Sequence, residues 1–216
     1  MTNQPLADLQ ALYLQALRLG SGRQADRALQ TALDQRLPVE SLYLDIFQPS
    51  AYEIGRLWQR NEFSVGQEHL ATAIIERQMG DLHPLFRPAQ ARPKTVVMGC
   101  VADERHRLGI RMVADFFELD GWTVHDLGAD VPTATFAAMV RELHADLVGL
   151  SAQMVFHVPT IAELVSELDR IGLSGLPVMV GGLPFVQQPE LYQALGVRFS
   201  AVDARQAVTK ANQAVP

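Results

Sequence analysis

The sequence predicts an α-helical bundle followed by a doubly wound α/β domain built on a five-stranded parallel sheet, and three observations predict it. Apolar residues recur at helical spacing over residues 6 to about 86; a Pro- and Arg-rich stretch without periodicity fills 87–93; beyond it, short β-branched apolar runs alternate with amphipathic stretches. A length of 216 residues accommodates two small domains, each with a core. The expected organisation is therefore a helical domain at 1–86, a linker at 87–93 and an α/β domain at 94–216.

The first helix is read from Leu9, Leu12, Tyr13, Ala16 and Leu17, and the second from Ala25, Leu29, Ala32 and Leu33. Leu42, Leu44, Ile46, Phe47, Tyr52, Ile54 and Leu57 mark a third, and Leu70, Ala73, Ile74 and Ile75 a fourth. Breakers at Gly20-Ser21-Gly22, Arg36-Leu37-Pro38 and 61–66 separate them, as in a small antiparallel four-helix bundle. Ser64 and Gln67 have the spacing of a capping box, so the fourth helix is expected to begin near Val65. In the second half, 95–98, 122–124, 147–150 and 178–180 read as strands, with helices at 107–119, 135–143 and 160–171 between them. A weaker strand at 197–201 and a helix at 204–212 complete the set. Alternation of this kind implies right-handed crossovers and a parallel, Rossmann-like or flavodoxin-like sheet covered on both faces. Ligands of such sheets sit outside the carboxyl ends of the strands, which singles out the loops after Met98, Val124, Leu150 and Val180.

Composition excludes several classes. Hydrophobic residues at 48% and charged residues at 19% are those of a folded globular chain. A net charge of -6 offers no footprint for a phosphate backbone, so direct nucleic-acid binding is not expected. The single Cys100 rules out an internal disulfide and fits a reducing compartment. No apolar run approaches the ~20 residues of a membrane span, and the N-terminus, with Asp8 and no basic segment, is unlike a signal peptide. The expected location is cytoplasmic.

The loop after the first strand carries Asp103, Glu104 and His106. A neutral imidazole at the sheet edge can ligate a metal, and either acid can hold its other nitrogen. The same residues also suit a solvated loop that opens a helix. Neither a G-x-G-x-x-G nor a Walker loop is present, which removes the main support for a nucleotide site. Spacing adds more: Glu104-x-His106-x-x-Gly109 is followed 42 positions later by Ser151 at the end of the third strand, and Gly181-Gly182 ends the fourth. All lie on one predicted sheet edge.

This set resembles the cobalamin-binding domain of corrinoid proteins and cobalamin-dependent mutases, whose pattern is D-x-H-x-x-G, then a serine motif, then Gly-Gly. Residues 121–132 also look like that family's second strand and following turn. The resemblance implies that His106 is the lower axial ligand of cobalt, displacing the dimethylbenzimidazole base, with Asp103 or Glu104 on its distal nitrogen. It implies that Ser151 bonds the displaced base, that Gly109 lets the corrin approach, and that Gly181 and Gly182 leave room for the nucleotide tail. Two departures stand out: glutamate replaces the family's aspartate, and the serine motif reads Ser151-Ala152-Gln153 where leucine is frequent in place of Gln153.

In the helical half, Trp58 is separated by nine residues from Glu68-His69. Such residues also suit a bundle core and a solvated first turn. Together with the cobalamin motifs, the pattern resembles the cap of adenosylcobalamin photoreceptors of the CarH type, in which the tryptophan lies over the adenosyl group and the Glu-His pair contacts it. There a histidine follows the tryptophan, and here it is Gln59. The usual DNA-binding domain of that family has no counterpart ahead of Leu6, so the chain is read as the sensor half alone.

The expectation is thus a binding protein rather than an enzyme: a cobalamin-dependent light sensor that carries adenosylcobalamin and acts through a transcriptional regulator or its own self-association. The alternative is a corrinoid carrier subunit of a methyltransferase, and a third reading is a passive cobalamin store. His125 and His157, at or after strand ends, are weaker site candidates. His83 and His144 are read as solvated residues on polar helix faces, and Cys100 as a small buried residue.

Overall fold

The computed structural model describes residues 5–215, and these fall into two compact units divided between Phe86 and Arg87. Residues 1–4 and 216, the outer ends of the two expected domains, lie outside the described residues.

The first unit is helical. It contains α1 (Leu6–Arg18) and α2 (Gly22–Asp34), then a rod in which α3 (Val39–Ser41), a π-helical segment (Leu42–Phe47) and α4 (Gln48–Gln59) run on without a break, and finally α5 (Val65–Leu82). The four-helix reading therefore holds, with the third helix widened part-way. Pro49 gives a physical reason: a proline in a helix lacks a donor and crowds the carbonyl four residues back, and a wider turn makes room. The π segment turns Leu42, Tyr43, Ile46 and Phe47 all into the core, where Phe47 meets Tyr13 and Tyr43 with ring centroids 5.4 and 5.5 Å apart. α5 begins at Val65, where the capping box forms: Ser64 Oγ accepts from the Gln67 N–H, and Gln67 Oε1 accepts from the Ser64 N–H at 2.9 Å.

The second unit runs β1 (Thr95–Cys100), α6 (Leu108–Leu119), β2 (Thr123–Asp126), α7 (Thr133–Glu142), β3 (Leu147–Ser151), α8 (Val158–Arg170), β4 (Val178–Gly181), α9 (Leu183–Gln187), β5 (Phe199–Ser200) and α10 (Ala204–Ala214). All strand pairs are parallel and the order is β2-β1-β3-β4-β5, the flavodoxin-like doubly wound order. Alternation along the strands builds a core on each face. Val97, Val148, Leu150, Val178 and Val180 pack with Phe136 of α7 and Ile161 and Leu164 of α8; Val96, Met98, Leu147 and Met179 pack with Ile110 and Phe117 of α6 and Ala207 of α10. Each large aliphatic side chain buried this way contributes about 1.5–3 kcal/mol.

Helices α7 and α8 start two residues earlier than the periodicity predicts, because Pro132 and Pro159 are tolerated at a helix start. β5 is shorter than 197–201, and α9 is one turn that the apolar pattern does not reveal. His83 and His144 correct the helix-face reading: His83 opens a 3₁₀ turn with its ring 4.9 Å from that of Phe86, and His144 follows α7 in the left-handed conformation. No helix among the described residues is long and apolar enough to cross a membrane.

A polar chain fixes the register of the helical unit. Tyr13 donates to Gln78, and both Gln78 (2.8 Å) and Arg77 (2.5 Å) donate to Asp26 Oδ1. Burial pushes the Asp26 carboxyl up, but its hydrogen bonds to Arg77 and Gln78 outweigh that and hold it below the usual carboxylate range. A carboxyl depressed in the folded state contributes stability that is present above its unfolded pKa of about 3.9 and is lost as pH falls through the folded value. Asp26→Asn is expected to flatten the acid limb of stability below about pH 4, by less than about 1 kcal/mol because the pair is half-exposed. Urea unfolding followed by circular dichroism from pH 7 to pH 3 measures it.

Candidate functional site

The site grows from the ends of three adjacent strands. Cys100 at the end of β1 is in register with Ser151 at the end of β3, and Ser151 with Gly181 at the end of β4. The loops that leave these residues therefore emerge side by side. Between β1 and β3 the connections diverge to opposite faces of the sheet, the switch point at which doubly wound domains bind ligands.

Loop 101–107 folds back on itself. The Glu104 N–H donates to the Val101 carbonyl, and the Asp130 N–H donates to the Glu104 carbonyl. Asp103 takes a positive φ of 65° and its own N–H goes to Asp130 Oδ1. That kink sends the two adjacent acids in different directions: Asp103 is exposed, and Glu104 is fully buried. Glu104 Oε1 lies 2.5 Å from Nδ1 of His106 and accepts the His106 N–H at 2.9 Å. Its Oε2 accepts the N–H groups of Gln153 (2.7 Å) and Met154 (3.2 Å) and lies 2.9 Å from Nδ1 of His157. Of the two acids left open by the spacing, Glu104 is the one bonded to His106.

Burial alone would raise the Glu104 pKa. The hydrogen bonds from His106, His157 and the backbone outweigh it and hold the carboxyl far below the ordinary carboxylate range, so Glu104 is an anion at neutral pH. A carboxylate on Nδ1 fixes the tautomer that donates from that nitrogen and carries the lone pair on Nε2, and it raises the basicity of that lone pair. The His106 side chain is 51% exposed, so this Lewis base stands at the surface of the sheet edge.

The surroundings are open next to His106 and tight behind it. A Cβ at Gly109 would meet nothing within 4 Å, and one at Gly181 only the Ala201 carbonyl at 3.8 Å. At Gly182 the reverse holds: φ is 113° and a Cβ would lie 2.0 Å from the Ala152 carbonyl, so glycine is required for the strand to turn there. Gln153 ties this turn to the β3 loop by accepting the Leu183 N–H at 3.3 Å. Ser151 is buried, and beside it the Cys100 thiol donates to the His106 carbonyl at 3.7 Å. A lone imidazole cannot cage a bare metal ion, which needs three or four protein ligands. It does suit a metal whose equatorial positions are filled by a macrocycle, and the open glycine surface beside it suits a flat ring.

The other expected site residues belong to other elements. Trp58 ends α4 and is 38% exposed; Glu68 and His69 open α5. Glu68 Oε1 accepts from Thr72 Oγ1 at 2.9 Å, and its Oε2 lies 3.6 Å from His69 Nε2, so the acid is tied within its own helix. His125 stands within β2, paired with Val97. Sequence reasoning held His157 only as a weak candidate; the structure puts it on the same carboxylate as His106. The amides of Gln153 and Met154 were missed, as backbone donors leave no trace in composition.

Fold and site together define a doubly wound α/β domain whose strand edge presents an exposed imidazole held by a buried carboxylate. A family model described as B12 binding domain matches residues 94–209, and a second of the same description matches residues 9–82. Dimethylamine corrinoid protein 3 of Methanosarcina mazei is 30% identical over 164 residues, covering 74% of this chain and 97% of that protein. The HTH-type transcriptional repressor CarA of Myxococcus xanthus is 27% identical over 136 residues, covering 63% of this chain and 46% of that protein. The solved monomethylamine corrinoid protein of Methanosarcina barkeri shares the fold, with a TM-score of 0.83 at 18% identity over 93% of this chain and 95% of that one. The chain belongs to the B12-binding domain family and binds cobalamin.

Cys100 is the other reactive group at this strand edge. Burial, with the negative charges of Glu104 and Asp126, pushes its thiol up to about 12. The native protein is therefore expected to resist alkylation by iodoacetamide at pH 8 and to react at the rate of an ordinary thiol once unfolded in urea; mass spectrometry of the intact chain reads the difference.

Proposed function

We propose that this protein is a corrinoid carrier that holds cobalamin with His106 as the lower axial ligand and presents the upper face to a methyltransferase partner. The observation that carries the reading is the exposed His106 imidazole held through Nδ1 by the buried Glu104 at the β1–β3 switch point. The resemblance to dimethylamine corrinoid proteins over about three-quarters of the chain supports a carrier over the sensor expected from the W-x₉-E-H pattern. Bound cobalamin supplies a cobalt centre that accepts a methyl group and passes it on. The chain's own part is to bind and orient. Glu104 fixes the ring of His106 and strengthens its lone pair; Gly109 and Gly181 leave the adjoining surface open; Ser151 would bond the displaced base; Gly182 gives the strand end the turn that a side chain would forbid.

His106→Ala is expected to remove the nitrogen ligand and weaken retention of hydroxocobalamin, as read from the absorption spectrum and from gel filtration of the loaded protein. Unchanged retention and spectrum would sink the assignment. Glu104→Gln is expected to cost about 10–100-fold in affinity, the usual effect of removing a group that orients a metal ligand.

A second reading, an adenosylcobalamin light sensor acting on a regulator, is favoured by Trp58, whose ring is more than one-third exposed, by the adjacent Glu68-His69 pair, and by the resemblance to CarA. Competition between adenosylcobalamin and methylcobalamin separates the two. A carrier is expected to show no preference or to prefer methyl. A sensor prefers adenosyl, and because base–aromatic stacking is worth about 1–3 kcal/mol, Trp58→Ala would then cut that preference roughly 5- to 150-fold.

A further inference from the structure

We infer that Gln153 is a specificity-determining residue for the nucleotide arm of the cofactor: its side-chain nitrogen donates to a phosphodiester oxygen of a corrinoid that keeps that arm. This deepens the corrinoid reading and rests on it.

Gln153 stands where the loops of the strand edge meet. Its backbone N–H donates to Glu104 Oε2 at 2.7 Å, which joins it to the carboxylate behind His106. Its side-chain Oε1 accepts the Leu183 N–H at 3.3 Å, which joins it to the turn after β4. That second bond decides which way round the amide lies. A backbone N–H can be answered only by an acceptor, so Leu183 claims the oxygen end, and the planar amide turns its nitrogen elsewhere. Among the described residues Nε2 has no partner, and it is not sealed from solvent. The fold therefore uses the acceptor of this side chain and leaves its donors unspent.

An amide donor answers to an oxygen acceptor, and the strongest one a corrinoid offers is the anionic phosphodiester of its nucleotide arm. With His106 on cobalt the base leaves the metal, and the arm that bears it has to be received by the protein. Gln153 is placed for that task. It follows Ser151, which would bond the base, by two residues, and its oxygen end is held at the turn that Gly182 makes. The Leu183 bond orients the amide before any ligand arrives, so little side-chain freedom is lost on contact. The departure of this serine motif from leucine at residue 153 thereby gains a chemical role: leucine has no donor, whereas glutamine holds its amide N–H groups in reserve.

The test titrates the full chain with hydroxocobalamin and, separately, with aquohydroxocobinamide, the same ring without the nucleotide arm, each followed by absorption. Gln153→Glu keeps an oxygen for the Leu183 N–H and replaces the donor by an anion. It is expected to raise Kd for hydroxocobalamin about 10-fold or more, the worth of a hydrogen bond to a charged group, and to leave Kd for the cobinamide within about twofold of the parent. Gln153→Met, which removes donor and acceptor at similar length, is expected to show the same selectivity. A role confined to holding the β4 turn predicts the opposite order: Gln153→Glu behaves as the parent, and Gln153→Met weakens both ligands alike. Parent-like cobalamin affinity in Gln153→Glu, or an equal loss for both corrinoids, overturns the inference; should that variant not fold, Gln153→Met is read by the same two outcomes. If the parent binds neither corrinoid, or His106→Ala leaves both affinities unchanged, the corrinoid reading falls and this inference with it. Binding that depends on His106 beside a parent-like Gln153→Glu brings down the Gln153 role alone.

Discussion

One buried carboxylate organises the functional edge of this protein. Glu104 is fully removed from solvent, and an anion in that position is tolerated only when its lone pairs are saturated by donors. Two imidazoles and three amide groups meet that demand. The requirement runs outward from there: loop 101–107 must kink at Asp103 to bury one acid and expose the other, and the β3–α8 loop must offer consecutive amides. The geometry of His106 is a consequence of charge burial as much as of its own position in the chain.

The sheet supplies the rest. Parallel strands in the order β2-β1-β3-β4-β5 bring Cys100, Ser151 and Gly181 into one row, although up to 81 residues separate them in sequence. Apolar packing on both faces holds that row rigidly, so residues on the outgoing loops inherit a fixed frame. The glycines divide their work: Gly182 answers to its own backbone and the Ala152 carbonyl, while a Cβ at Gly109 would meet no neighbour and one at Gly181 only the Ala201 carbonyl in ordinary contact.

Much of this was legible in the sequence. The strands stand out because both faces are buried, giving runs such as Val96-Val97-Met98 between helical stretches. The Ser64–Gln67 cap fixed the start of α5 to the residue. The π segment was hidden because Leu42 to Phe47 satisfy an ordinary helical spacing almost as well. The choice between Asp103 and Glu104 was not legible either: both lie within three residues of His106, and only the left-handed φ of Asp103 decides it. His157 is 53 residues from Glu104, and pairing at that distance leaves no periodic signal. The intrahelical bonds of Glu68 to Thr72 and His69 were not legible either, because residues 68, 69 and 72 also suit an ordinary solvated first turn.

The double grip of Glu104 on two loops is formed by protein groups alone. A receptor whose walls are already stapled together spends little of its attraction on freezing mobile segments, so the encounter with a large, flat guest resembles a key entering a cut lock more than a hand closing. The same staple ties the β1–α6 loop to the β3–α8 loop through bonds that belong to the chain itself, so neither loop can shift without the other.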